Sequence, residues 1–298
     1  MGGSDFTTLS VTEMPTSDDF AYPYEVQKDK VTRVPFKDVA GAAPAGSINS
    51  SVEEMMHYLQ FLIDLGTYNG QHLLSPQSAR AMQIPETAIA GPIQFKELGH
   101  MAYGLGVRIG SYHGRKTVQH GGGIDGFISA MSWMPREKIG VMVLTNIGGN
   151  NPVPTIVLRN VYDRLFGVEQ VDWVGRTREQ QQRAEARQTE RREEFKTQRV
   201  AGTSPSHRLA DYVGDYEHSA YGVVTIGMRG GGLTAKWANF EGPLEHYHYD
   251  VFLTIFGEPS DAGESSLMKF LYDKKGVVDR LENSMDSAVS DIVFVKKQ

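Results

Sequence analysis

His120-Gly121-Gly122-Gly123 stands between two strand-like runs, 103–109 and 127–134, and its reading decides the fold. Residues 103–109, 116–119, 127–134 and 139–145 are short and apolar or alternating. Glycine-rich stretches or Pro135-Arg136-Glu137-Lys138 separate the later ones, which predicts consecutive antiparallel strands. A histidine ahead of three glycines in such a sheet sets a hydrogen-bonding ring beside backbone that no Cβ shields.

Working outward, Ser51-Val52-Glu53-Glu54 has the spacing of a capping box, and Met55, Met56, Leu59, Leu62 and Ile63 give one apolar helix face that stops at Gly66. Ser75-Pro76 opens a shorter helix through Met82. A helix over 154–166 ends at Gly167. The first forty residues are polar and punctuated by proline, and read as a wrapped loop. Residues 176–199 are almost wholly Gln, Arg, Glu, Ala and Thr, a helix polar all round of the kind that bridges domains. Ala201-Gly202-Thr203-Ser204-Pro205 breaks it. From Leu209 onward the pattern is all-β. Val224, Ile226 and Met228 alternate, Arg229-Gly230-Gly231-Gly232 turns, and Leu233, Ala235 and Trp237 alternate again. Further strands are predicted at 246–255, 267–272, 277–281 and 292–295. The class is α+β, divided into 1–170, a charged helical linker 171–205, and an all-β domain 206–298.

Composition narrows the function. A formal net charge of −6 and balanced charges along the polar helix argue against a nucleic-acid binder. No apolar run approaches the roughly 20 residues that span a bilayer, so no membrane span is expected. Met1-Gly2-Gly3-Ser4-Asp5 shows no signal-peptide pattern. The absence of cysteine excludes disulfides, thiolate metal sites and a cysteine nucleophile.

Tyr-Gly-Leu-Gly-Val at 103–107, His-Gly-Gly-Gly at 120–123, Gly126-Phe127 and Val-Met-Val-Leu-Thr-Asn at 141–146 together resemble the serine β-lactamase and penicillin-binding-protein superfamily, in its branch of esterases, D-amino-acid peptidases and β-lactamase-like hydrolases. The resemblance implies catalytic roles for His120 and Gly123. His120 would serve the substrate and the proton network, and the Gly123 amide would be one of two oxyanion donors. Gly121 and Gly122 would bind substrate by letting an acyl chain lie along the strand. The family's Ser-x-x-Lys and Tyr-x-Asn motifs are expected upstream of residue 1, so the chain would be the C-terminal part of such a domain, inactive alone. An apolar face and an unpaired strand edge would then be exposed. Leu209-x-x-Tyr212-x-Gly214-x-Tyr216, Tyr221-Gly222 and the run 244–252 resemble the small lipocalin-like barrel often appended to these hydrolases. The expected substrate is a small ester, peptide or lactam. No metal or cofactor is implied, a homo-oligomer could form through the barrel, and the family suggests a periplasmic or extracellular setting. The alternative is a non-catalytic fragment that assembles or binds ligand through the barrel.

Other readings compete. Gly121-Gly122-Gly123-Ile124-Asp125-Gly126 satisfies Gly-x-Gly-x-x-Gly, but a dinucleotide site needs that run to open a helix, and a strand-like run follows. A lipase oxyanion loop needs a downstream Gly-x-Ser-x-Gly elbow, which the sequence lacks. Ser266-Leu267-Met268-Lys269 matches Ser-x-x-Lys, yet lies in a strand-like run where i and i+3 face oppositely. His246 and His248 would share a strand face as a metal pair, but no acidic cluster accompanies them. Tyr103, Phe127 and Trp133 are expected in the core or a cleft wall without a catalytic role, and Asn146 at a strand end.

Overall fold

The computed structural model describes residues 7–297 apart from 17, 28–29, 40, 42, 125, 239, 257–263 and 284–290. It divides into two compact units, Met1–Gln182 and Arg183–Gln298.

In the first unit, the stretch expected to be a wrapped loop instead holds a hairpin, β1 (Tyr24–Gln27) with β2 (Lys30–Arg33). A single turn, α1 (Ala43–Gly46), follows. Helix α2 (Val52–Ile63) starts where the capping spacing predicts, with the Ser51 hydroxyl accepting from the Glu54 amide. The short pair β3 (Thr67–Tyr68) and β4 (Gln71–His72) leads to α3 (Pro76–Ala81), capped by Ser75. The main sheet is antiparallel, built from β5 (Thr87–Ile89), β6 (Met101–Tyr103), β7 (Arg108–Tyr112), β8 (Arg115–Ile124), β9 (Phe127–Met134) and β10 (Ile139–Thr145), paired in that order. Helix α4 (Val153–Phe166) ends at Gly167 in the left-handed conformation, and the division between the units falls within α5 (Trp173–Thr197), which carries the polar sequence.

Alternation along the strands sorts side chains between two cores. Val118 and Trp133 are cross-strand partners and pack with Leu59, Leu62 and Ile63 of α2. Met134, one residue on, faces the other way and packs with Leu158 and Tyr162 of α4. Gly140 lets α2 close onto β10, since a Cβ there would meet Leu59 Cδ2 at 2.6 Å. The single strand predicted at 103–109 is corrected: it breaks into β6 and β7. The Gly104 amide donates to the Val107 carbonyl, and Gly106 takes a positive φ of 79°. The triple glycine lies within β8, and the turn comes after it.

In the second unit, the single turn α6 (Leu209–Tyr212) precedes a closed eight-stranded antiparallel barrel: β11 (Gly214–His218), β12 (Gly222–Arg229), β13 (Gly232–Trp237), β14 (Phe240–His248), β15 (Val251–Phe256), β16 (Glu264–Tyr272), β17 (Val278–Asn283) and β18 (Ile292–Lys296). The pairing of Tyr216 with Lys296 closes it, which removes any free edge. Its interior is filled by Tyr216, Val224, Ile226, Phe252, Met268, Phe270, Leu281 and Phe294. Tyr212 packs its ring on Phe252 and Phe270. One expectation is corrected here. The strand predicted at 246–255 is a hairpin that reverses at Tyr249, a residue with positive φ of 45°. Met228 keeps the alternation of Val224 and Ile226, opposite the buried Leu233, but is itself exposed.

Candidate functional site

The register of β7 with β8 ends at Arg108 opposite Gln119. Strand β8 continues to Ile124, paired with β9 alone: His120 lies opposite Met131, Gly121 opposite Ala130, Gly122 opposite Ser129 and Gly123 opposite Ile128. Among the described residues, therefore, no strand pairs with 120–124 on the β7 side. His120 and all three glycines are exposed. The sequence-predicted residues thus come together on one open stretch of strand edge. Backbone on such an edge has hydrogen-bonding groups free for an extended ligand.

Alternation puts His120 and Gly122 on one face and Gly121 and Gly123 on the other. The glycines have a structural reason beyond room for substrate. A Cβ on Gly121 would sit 3.0 Å from the Ser129 carbonyl oxygen, and one on Gly122 would sit 2.7 Å from the Ser129 hydroxyl. On Gly123 it would meet Ile128 Cδ1 at 3.2 Å.

His120 has a partner that sequence reasoning assigned no role. The Tyr103 hydroxyl on β6 lies 3.1 Å from His120 Nε2, and the rings meet edge to face with centroids 6.2 Å apart. Tyr103 is held by its own backbone, whose carbonyl accepts from the Glu86 amide. Next to it, Gly104 is wedged so tightly that a Cβ would reach the Met82 carbonyl oxygen at 2.4 Å. No local signal announces this pairing, because it joins residues in strands that are not neighbours in the sheet. Ser129, by contrast, follows from the hairpin register once the turn at Gly126 is placed.

The far end of β8 is bounded by the N-terminal hairpin. The Tyr24 amide donates to the Gly126 carbonyl, and the Gly148 amide donates to the Tyr24 carbonyl. The Phe36 ring stacks on Phe127. Asn146 follows the end of β10 and donates to the Tyr22 carbonyl.

The other candidate motifs are not brought together. Ser266 and Lys269 lie on β16 and point oppositely: the buried Ser266 hydroxyl donates to Asn283 Oδ1 at 3.0 Å, while the exposed Lys269 pairs with Glu282 at 2.9 Å. A lysine so placed cannot take that serine's proton. A bulge between His246 and His248 shifts the β14 register, with His246 Nε2 bonded to the Tyr249 carbonyl and His248 Nδ1 accepting from the Val200 amide. No group of three or more His, Asp or Glu side chains placed to hold a metal occurs among the described residues. Residues 121–124 lie in β8 and the next element is the strand β9, so the run does not open a helix. No helix among the described residues is long and apolar enough to cross a membrane.

Two family models match this chain. The family model described as Beta-lactamase matches residues 7–165. A second, described as a domain of unknown function (DUF3471), matches residues 198–296. Unguisins hydrolase ungD' of Aspergillus campestris is 25% identical over 232 residues, which are 75% of this chain and 42% of that protein. Among solved structures, the octameric penicillin-binding protein homologue from Pyrococcus abyssi is similar at a TM-score of 0.50 and 17% identity, over 97% of this chain and 56% of that one. A D-stereospecific amidohydrolase from Streptomyces sp. is similar at a TM-score of 0.40 and 19% identity, over 52% and 43% respectively. The chain thus spans about half the length of the relatives it matches.

Proposed function

The chain belongs to the beta-lactamase family, and from that premise we propose that it supplies one wall of a serine acyl-transfer site acting on ester, peptide or lactam carbonyls. The observation that carries this reading is the unpaired stretch of β8 at 120–123, with His120 and three glycines exposed along it. In this reading the Gly123 N–H is one of two oxyanion donors, Gly121 and Gly122 are the floor for the acyl chain, and His120 holds a polar group of the substrate. The nucleophile comes from residues outside this sequence, because the Ser-x-x-Lys at 266–269 has its two side chains on opposite faces of a strand. The complete protein would form an acyl-enzyme on that serine and release it to water.

The purified polypeptide is then expected to show no burst with p-nitrophenyl acetate or nitrocefin and no acylated serine. A stoichiometric burst with the acyl group on a serine of this chain would refute the assignment of the nucleophile. In any polypeptide that restores turnover, His120→Ala or Gly123→Pro is expected to lower kcat, the latter by about 10²–10³ for a lost oxyanion donor. Full activity in both would remove the wall from the mechanism.

A second reading, assembly through the barrel, is favoured by one observation. Val293 and Val295 lie on the outer face of β18 at 37% and 56% exposure, on either side of the inward Phe294. Light scattering on the whole chain decides it, since a strict monomer leaves that surface without a partner copy. Ligand binding inside the barrel has less support, because aromatic side chains fill the interior.

A further inference from the structure

We propose that Tyr103 is the positioning residue of the His120 ring: its O–H donates to Nε2, holds the neutral imidazole as the Nδ1–H tautomer, and so presents substrate with a hydrogen-bond donor rather than a base. The inference rests on the acyl-transfer reading for its purpose, but the tautomer is a property of this chain alone.

The two side chains meet at 3.1 Å between the phenol oxygen and Nε2, so exactly one proton lies between them when the ring is neutral. Two arrangements satisfy that contact. Either the phenol donates to an imine-type Nε2, or a pyrrole-type Nε2–H donates to the phenol oxygen. The first is the stronger bond. A phenol's lone pair is drawn into its ring, which makes the oxygen a good donor and a poor acceptor, while an imine nitrogen accepts through a localised lone pair. With Nε2 accepting, the ring proton must reside on Nδ1. Nδ1 has no hydrogen-bond partner among the described residues. It is the nitrogen nearer the backbone, next to the open strand edge.

Tyr103 is also built to hold still. The backbone bond from Glu86 and the tight seat of Gly104 against the Met82 and Ile84 carbonyls fix the strand end that carries it. The edge-to-face ring contact restrains the plane of the imidazole, while the hydrogen bond at Nε2 sets its tautomer. The consequence is a substrate preference. A ring locked as an Nδ1–H donor selects substrates that place an acceptor oxygen, a carboxylate or a second carbonyl, beside the scissile bond.

The test uses the whole 298-residue chain labelled with ¹⁵N and long-range proton–nitrogen correlation spectra of its histidine rings, with His120→Gln to identify the His120 signals. A pyrrole-type Nδ1 and imine-type Nε2 are expected in the unmodified chain at a pH where the ring is neutral. Tyr103→Phe, which keeps the ring contact and removes the proton, is expected to shift the population toward Nε2–H. An Nε2–H ring in the unmodified chain overturns the proposal, whether or not the variant folds. An unchanged pattern in a folded Tyr103→Phe chain overturns it too. Neither result bears on whether a serine is acylated, so the proposal and the acyl-transfer reading fail separately.

Discussion

Asp163 on α4 accepts the indole N–H of Trp173 across 2.8 Å, with both side chains buried. The other oxygen of the same carboxylate accepts the Tyr112 hydroxyl at 2.5 Å, and His113 Nε2 stands 3.5 Å from it. Burial, then the hydrogen bond and charge of Asp163, push the Tyr112 phenol well above its usual range, so it remains a donor. One carboxylate therefore ties β7, α4 and the start of α5 together on the sheet face away from α2. Arg159 lies over the Trp173 ring at 4.6 Å and adds a cation to that face. Asp163→Ala leaves a buried hydroxyl and a buried indole N–H unpaired, at about 1–3 kcal/mol each. The expected loss is about 3 kcal/mol, with Asp163→Asn milder because its amide oxygen still accepts one bond. Urea midpoints followed by tryptophan fluorescence check this, and a midpoint within error of the parent would contradict it.

Asp250 gives the barrel unit an acid-sensitive joint. It lies after the β14 strand and accepts from the Ser206 N–H and O–H, each at 2.8 Å, and from the Tyr212 hydroxyl. Burial pushes its carboxyl up, but those hydrogen bonds outweigh burial and hold it below the usual carboxylate range. The sign follows from the lowered folded value. Its stabilisation is present above the unfolded pKa of about 3.9 and is lost as pH falls through the folded value. Asp250→Asn is expected to lower stability at neutral pH and to flatten the fall in stability below about pH 4. Urea midpoints at several pH values, read from NMR signals of the barrel, measure both effects. A variant as steep in acid as the parent would assign the acid response to other carboxylates.

Gly126 decides whether the N-terminal hairpin docks on the sheet. Its φ is +81°, and a Cβ would meet Pro23 Cβ at 2.2 Å and the Tyr24 amide nitrogen at 2.8 Å. Gly70 also has positive φ, 76°, but nothing within 4 Å of a Cβ. Gly70→Ala is expected to cost about 1–2 kcal/mol, the penalty of the left-handed backbone alone. Gly126→Ala bears that penalty and a collision with backbone, so the expected outcome is release of residues 22–24. Amide exchange at Gly148, whose N–H is bonded to the Tyr24 carbonyl, reports it directly. Equal effects of the two substitutions would show that the collision is relieved without undocking.

What could be read from residues alone follows from range. Ser51, Ser75 and Gly167 mark helix ends through bonds or dihedrals that span only a few residues, and the structure keeps all three. Strand β9 lies where its composition predicts, bounded by the turn at Gly126 and by Pro135. The break inside 103–109 was hidden, because its alternation is good and the reason for Gly104 lies across the fold at Met82 and Ile84. The reversal at Tyr249 was hidden likewise, since a non-glycine with positive φ is held there by partners of its own backbone, its amide donating to the distant Thr203 hydroxyl and its carbonyl accepting from His246 Nε2. At the site, His120 and its glycines are a contiguous motif and therefore visible. Tyr103 is seventeen residues away on a strand that is not adjacent, and only the three-dimensional sheet joins them.

The three glycines of β8 are not equivalent, and substitution separates their reasons. Glycine in a strand interior ordinarily costs about 0.5–1 kcal/mol relative to alanine, so replacing it should stabilise where space permits. At Gly122 the obstacle to a Cβ is the Ser129 hydroxyl, which can rotate away or be removed; at Gly121 it is the Ser129 carbonyl oxygen, which belongs to the paired strand and cannot move without disturbing the ladder. Gly122→Ala is therefore expected to be near neutral, and to become stabilising by up to about 1 kcal/mol in a Ser129→Ala background. Gly121→Ala is expected to destabilise in both backgrounds, because removing the hydroxyl leaves the carbonyl in place. A double-mutant cycle of thermal midpoints measures the coupling, expected between 122 and 129 and absent between 121 and 129. Coupling of equal size at both positions would mean that β9 as a whole shifts, and that the triple glycine is there to keep the edge open rather than to fit Ser129.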